Sequence, residues 1–165
     1  MTALIVDAFN SLGKSQREAI RGLPEDQLAT HLSALGLAYR NWAVTYPQRY
    51  QLIFGTPIPG YEAPPETTTP LARSSLGVLI RILEEGMQSG AFQLPEDPPA
   101  LSPDLLDSSP EIAHAAPLLT TALALWGLVH GLVSLELFNH FQPLLADPEE
   151  LFRQELANRM QILLI

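Results

Sequence analysis

The chain has no cysteine and a single lysine, Lys14. The first absence excludes disulfides, thiolate zinc sites and cysteine nucleophiles. Reducing cytosol fits it without being demanded. The second contributes to a shortage of positive charge: 9 Lys+Arg stand against 18 Asp+Glu, for a net charge of -9. The arginines, at 17, 21, 40, 49, 73, 81, 153 and 159, are scattered and form no basic stripe, so these residues alone offer no grip on a phosphate backbone. Catalytic and metal-binding patterns are also missing. His31, His114, His130 and His140 form no HxxxH or HExxH pair, and GxSxG, P-loop and GxGxxG motifs do not occur. Ser134 lies one turn from His130 on one helix, with Glu136 pointing elsewhere, which is not triad geometry. The expectation is no metal, no cofactor and no catalytic residue. The N-terminus lacks a charged region ahead of its apolar stretch and a clear signal-cleavage site.

What is present is apolar. Hydrophobic residues are 47% of 165 and charged residues 16%, enough for one globular domain with a core. No strand alternation or internal repeat is convincing, and the pattern reads as helices separated by proline-rich loops. A first helix spans about Thr2 to Arg21, with Leu4, Ile5, Ala8, Phe9 and Leu12 at helical spacing. A second opens at Pro24, with Glu25 and Asp26 in its first turn, and runs to Tyr46. PQRYQLIFG forms a short helix or turn stopping at Gly55. Another helix begins near Thr69–Pro70 and ends near Gly90, and a long one begins at Ser109–Pro110–Glu111. Asp147–Pro148–Glu149–Glu150 opens the last, with Glu149/Arg153 and Glu155/Arg159 as exposed i,i+4 pairs.

Two helices carry informative stripes. In the second, Leu28, Leu32, Leu35, Tyr39, Trp42 and Tyr46 follow a 4,3,4,3,4 spacing, an apolar face that turns aromatic and polar-tipped. It is either plain core or one wall of a small-molecule pocket. The run Pro117–Phe138 contains one formal charge, Glu136, and is long enough to cross a bilayer. It resolves into a bulky stripe (Leu119, Leu123, Trp126, His130, Val133, Leu137) and a small one (Thr120, Ala124, Gly127, Gly131, Ser134). The small stripe invites close approach of another helix, in lipid or in protein. His130 and Glu136 are costly near lipid, and no Lys/Arg cluster flanks the run. Glu136 needs a partner such as an arginine or a backbone N–H. His130 is either a hydrogen-bonded core residue or the single polar contact of an apolar pocket.

AYRNWAVTYPQRYQLIFGTPIPGYEAP, Ala38 to Pro64, resembles the early regulatory-domain region of TetR-type transcriptional regulators. WGLVHGLVSLELFNHF, Trp126 to Phe141, looks like the signature helix of the subgroup whose C-terminal domain is named WHG, with Trp126, His130 and Gly131 at those letters. DPEELFRQELANRM, Asp147 to Met160, resembles its closing helix. The resemblance covers about residue 24 to the end.

It implies an all-α bundle of about six helices, a cytoplasmic homodimer joined through its last two long helices, and a ligand pocket between helices. A separate helix-turn-helix domain would bind operator DNA and release it when an effector binds. No counterpart of that domain is seen: Thr2 to Arg21 looks like the helix following the DNA head. Residues 1–165 are therefore expected to be a single ligand-sensing and dimerisation domain of a repressor. The expected pocket lining is Tyr39, Trp42, Tyr46, Phe54, Leu83, Met87, Trp126 and His130, around a small hydrophobic or aromatic effector. The expected dimer seam is Ala124, Gly127, Gly131 and Ser134 with Phe152, Leu156, Met160 and Leu163. A single-span membrane protein and a ligand-free helical interaction domain are the alternatives, and an enzyme is the least supported.

Overall fold

The computed structural model describes residues 1–56, 59–104 and 115–164. Six helices are seen among them: α1 (Thr2–Ile20), α2 (Leu28–Thr45), α3 (Pro47–Phe54), α4 (Pro65–Gln88), α5 (Ala116–Leu137) and α6 (Pro148–Leu163). The one extended pairing among these residues is an isolated bridge between Phe92 and Leu164. The all-α expectation holds.

Helix boundaries differ from those expected at two prolines. α2 begins at Leu28, not Pro24, because Pro24–Gln27 closes a separate turn, with the Gln27 N–H on the Pro24 carbonyl at 3.1 Å. α4 begins at Pro65, five residues ahead of Pro70. Pro70 then sits near the helix start, where its missing N–H forfeits one bond. The expected start of the long helix at Ser109–Pro110–Glu111 lies outside the described residues, as does His114. α6 starts as expected, with the Asp147 carboxylate accepting from the N–H groups of Glu149 and Glu150 at 3.0 and 3.2 Å. α5 ends at Leu137 and is closed just beyond by Asn139, which takes the left-handed conformation (φ 59°) while the His140 N–H bonds the Leu135 carbonyl, a Schellman closure.

The helices pack around two adjoining apolar clusters. One joins Leu28, Leu32 and Leu35 of α2 to Ile82 and Leu83 of α4, Leu118 and Leu125 of α5, and Met160 and Leu163 of α6. The other joins Leu12 of α1, Tyr39 and Trp42 of α2, Tyr50 of α3, Val129 and Val133 of α5, and Phe152 and Leu156 of α6. Full burial of a side chain such as Phe152, 1% exposed, contributes about 2–3 kcal/mol. Two glycines permit close packing: Leu156 seats against Gly36, where a Cβ would lie 2.8 Å from its Cδ1, and the Phe92 ring covers Gly86 so closely that a Cβ would strike it.

This packing corrects half of the expected dimer seam. Phe152, Leu156, Met160 and Leu163 face the chain's own core, because α6 lays its apolar stripe on α2 and α5. Ser134 is half-buried and occupied within the chain, its hydroxyl 2.8 Å from the Tyr50 hydroxyl. Ala124 and Gly127 are exposed, Gly131 is half-buried, and a Cβ at either glycine would meet open space. α5 is also less covered than its composition suggested. It is long and apolar enough to cross a membrane (mean hydropathy 1.8), yet only 33% of its most apolar window is buried.

A charged clamp holds three helices together. Arg40 of α2 is buried and reaches Glu136 of α5 and Glu149 of α6, at 2.6 and 2.8 Å. Glu149 also takes Arg153 at 2.6 Å. The expected Glu155/Arg159 pair does not form an ion pair; Glu155 accepts from the Asn158 amide instead.

Candidate functional site

An apolar cavity of about 360 Å³ lies between α1, α2, α4, α5 and α6, with the end of α3 at its edge. That is within the range of small-molecule sites. α2 contributes Leu32, Leu35, Gly36 and Tyr39, at the 3,1,3 spacing of one helical face. Facing them are Leu76 and Leu79 of α4, Leu125, Trp126 and Val129 of α5, and Leu156 and Met160 of α6. Gly36, lacking a side chain, gives Leu156 room and leaves space in the wall. α1 closes the cavity with Phe9 and Gln16, and α3 with Ile53 and Phe54.

Polar groups stand at both ends. At the α2–α5 end, His130 Nδ1 lies 2.9 Å from the Tyr39 hydroxyl and 3.0 Å from the Tyr50 hydroxyl. A neutral imidazole nitrogen accepts one O–H, and Tyr50 has a second outlet at Ser134 Oγ. Burial lowers the His130 pKa below its ordinary value, keeping the ring neutral. Burial, with the neighbouring Tyr50 phenol, raises Tyr39 well above the usual phenol range. Burial likewise raises Tyr50, against the opposing hydrogen bonds from Ser134 and Tyr39. Rings close the cluster: His130 stacks on Tyr50 with centroids 5.6 Å apart, and Trp126 and Phe54 lie 5.3 and 5.2 Å from the imidazole. At the α1–α4 end, the Ser75 hydroxyl donates to Gln16 Oε1 at 3.0 Å, and Arg73 stands at the rim.

Of the residues expected to line a pocket, Tyr39, Phe54 and Trp126 do so, and His130 stands directly behind them. The others do not. The Trp42 indole donates to Ser11 Oγ at 3.0 Å, and with Tyr46 it faces an outer groove between α1 and α2. The step of 18 residues from Leu28 to Tyr46 makes about five turns, so the stripe keeps its side; Trp42 and Tyr46 lie further along the chain than Tyr39, the last α2 residue of the cavity wall. Leu83 is fully buried among core leucines, and Met87 is 44% exposed near the end of α4. The sequence reading missed the α1 contribution entirely. The spacing of Phe9 and Gln16, seven residues or two turns apart, was the available signal.

Among the described residues no group of three or more His, Asp or Glu could hold a metal ion. The cavity wall is built from leucines, rings and a few hydroxyl and amide groups, an arrangement suited to enclosing an apolar molecule.

Comparison with known proteins agrees with the architecture. Residues 32–158 match the family described as tetracyclin repressor-like, C-terminal domain. The chain is 32% identical over 157 residues to the HTH-type transcriptional regulator Rv1816 of Mycobacterium tuberculosis, covering 92% of this chain and 67% of that protein. A regulator from Mycobacterium bovis, Mb1846, matches to the same extent. Among solved structures, the candidate regulatory protein SCO4313 superposes with a TM-score of 0.71 at 33% identity, over 97% of this chain and 71% of that one. A protein of unknown function from Rhodococcus sp. RHA1 shares the fold, with a TM-score of 0.75 at 16% identity, over 99% of this chain and 71% of that one. The chain belongs to the TetR family of transcriptional regulators and corresponds to their C-terminal domain.

Proposed function

We propose that residues 1–165 form the ligand-sensing and dimerisation domain of a cytoplasmic TetR-type repressor, without enzymatic activity. A small apolar or aromatic effector occupies the cavity, and operator DNA is contacted by a helix-turn-helix domain outside these residues. The relatives' designation as HTH-type regulators supports the DNA-binding part of this reading.

The observation that carries the proposal is the double use of α5. Trp126 forms cavity wall, while the adjacent Gly127 lies on an exposed face with open space above its Cα. On that face Leu123, Ala124, Gly127, Leu135 and Phe138 are exposed, an apolar surface unusual for a monomer. A second copy packing there would cover it, and the small residues would let the two α5 helices approach closely. An effector that moves Trp126 then acts on the seam through one backbone, and it shifts the dimer geometry to the extent that it binds the two geometries unequally.

Sedimentation velocity on the chain and on Gly127→Arg tests the seam. Among the described residues nothing beyond the helix's own local backbone lies within 4 Å of a Cβ at Gly127, so the variant is expected to keep its helical circular dichroism and become monomeric. A wild-type monomer, a dimeric variant, or a chain that stays in solution only with detergent would each sink the assignment.

A further inference from the structure

We propose that the cavity takes an amphipathic organic acid, with its apolar body among the α2 and α5 side chains and its carboxylate at the α1–α4 end. The inference rests on the effector-cavity reading above and names the class of effector.

Among the described residues Arg73 is the one charged residue lining the cavity, in a chain of net charge -9. Among the described residues no carboxylate lies within ion-pair distance of its guanidinium. Arg73 also lines the outer groove between α1, α3 and α4, together with Phe9, Ile53 and Ala72. It therefore stands where the cavity meets its approach from solvent. Gln16, on the α1 wall, is only 5% exposed. Its Oε1 is occupied by the Ser75 hydroxyl, whereas its amide nitrogen has no protein partner among the described residues. Gln16 is itself one of the residues that line the cavity. The unspent groups at this end are thus donors: two amide N–H bonds and a guanidinium. They call for an acceptor bearing negative charge, and the planar fork of arginine suits a carboxylate. The opposite end offers no competing cation, because burial keeps His130 neutral and Tyr39 is engaged with it. An alkylamine would meet Arg73 as a like charge, and a hydrocarbon or alcohol would leave the guanidinium unpaired.

The test uses decanoate, decanol and decylamine below their aggregation limits. Trp126 emission and thermal unfolding are followed on the wild-type chain, Arg73→Gln and Gln16→Leu. Decanoate is expected to bind about tenfold more tightly than decanol, the effect of one charge-assisted hydrogen-bonded pair, and decylamine more weakly than decanol. Arg73→Gln, a change at an exposed position, should bring decanoate to the level of decanol and leave decanol unchanged. Gln16→Leu should weaken decanoate alone. Equal binding of decanoate and decanol, or an Arg73→Gln variant that weakens both alike, overturns the acid assignment while leaving an effector cavity. Failure of all three probes to perturb Trp126 or the melting temperature overturns both readings.

Discussion

Arg40 grips Glu136 through two nitrogens, Nε to Oε2 at 2.8 Å and Nη2 to Oε1 at 2.6 Å. This planar fork turns the one charge in the apolar run of α5 inward, where burial alone would have been prohibitive. Burial by itself would lower the arginine's pKa, but hydrogen bonds and charge from Glu136, then Glu149, outweigh it and hold the guanidinium charged. Arg40→Met leaves Glu136 desolvated and unpaired, and is expected to cost about 3 kcal/mol in urea unfolding. The double variant Arg40→Met, Glu136→Leu should recover most of that loss. A single variant as stable as wild type would show that the clamp contributes nothing.

The histidine sets a pH window. Its folded-state pKa lies below the ordinary value of 6.5, so the unfolded chain binds the proton more readily. The stability from keeping the ring neutral is therefore complete above that value and declines as pH falls through it. Glu149 adds a separate loss at lower pH, because Arg153 first and Arg40 second hold its carboxyl below the usual range. The expected outcome is a melting temperature that falls from pH 7 to pH 5.5 in the wild-type chain. The slope should be flatter in His130→Gln, and identical slopes would rule out the assignment.

Gly86 makes a steric prediction. The Phe92 ring occupies the space a Cβ would need, and that ring is itself buried between α4 and α6. Gly86→Ala, which should raise helix propensity, is instead expected to destabilise the fold by about 1–3 kcal/mol. Denaturant unfolding would decide the sign, and a gain in stability would mean the ring relocates freely.

The apolar face of α2 was legible in its sequence because Leu28, Leu32 and Leu35 recur on one side while His31 and Arg40 interrupt the others. The long helix was not legible in the same way. Leucines surround α5, so periodicity does not select a face. The stripe actually buried, Leu118, Ala122, Leu125, Val129 and Val133, shares only Val133 with the bulky stripe expected from sequence, and Leu123 and Trp126 of that stripe are exposed. For α6 the apolar stripe was correctly found but assigned to a partner, since a sequence does not state whether an apolar face meets its own chain or another. Tyr39, Phe54 and Trp126 were recognisable as cavity residues by aromatic character. Gln16 and the α1 wall were not, because a lone polar residue on an amphipathic helix looks solvated until tertiary packing covers it, and Arg73, exposed in the fold, looks like any other surface arginine.

The distribution of directional bonds gives the cavity unequal walls. α2, α5 and α6 are stitched by the Arg40 clamp, and α2, α3 and α5 by the Tyr39–His130–Tyr50 cluster. α4 meets α2 and α5, among the described residues, through apolar side chains without a single side-chain hydrogen bond or ion pair, and its polar tie is to α1 through Ser75 and Gln16. Apolar contacts have no preferred direction, so α4 can slide by small amounts at little cost, whereas displacement of the stitched helices breaks geometry-dependent bonds. The compliance of the cavity is thus one-sided: a larger occupant would be accommodated by α4, and Gln16 would carry that displacement into α1.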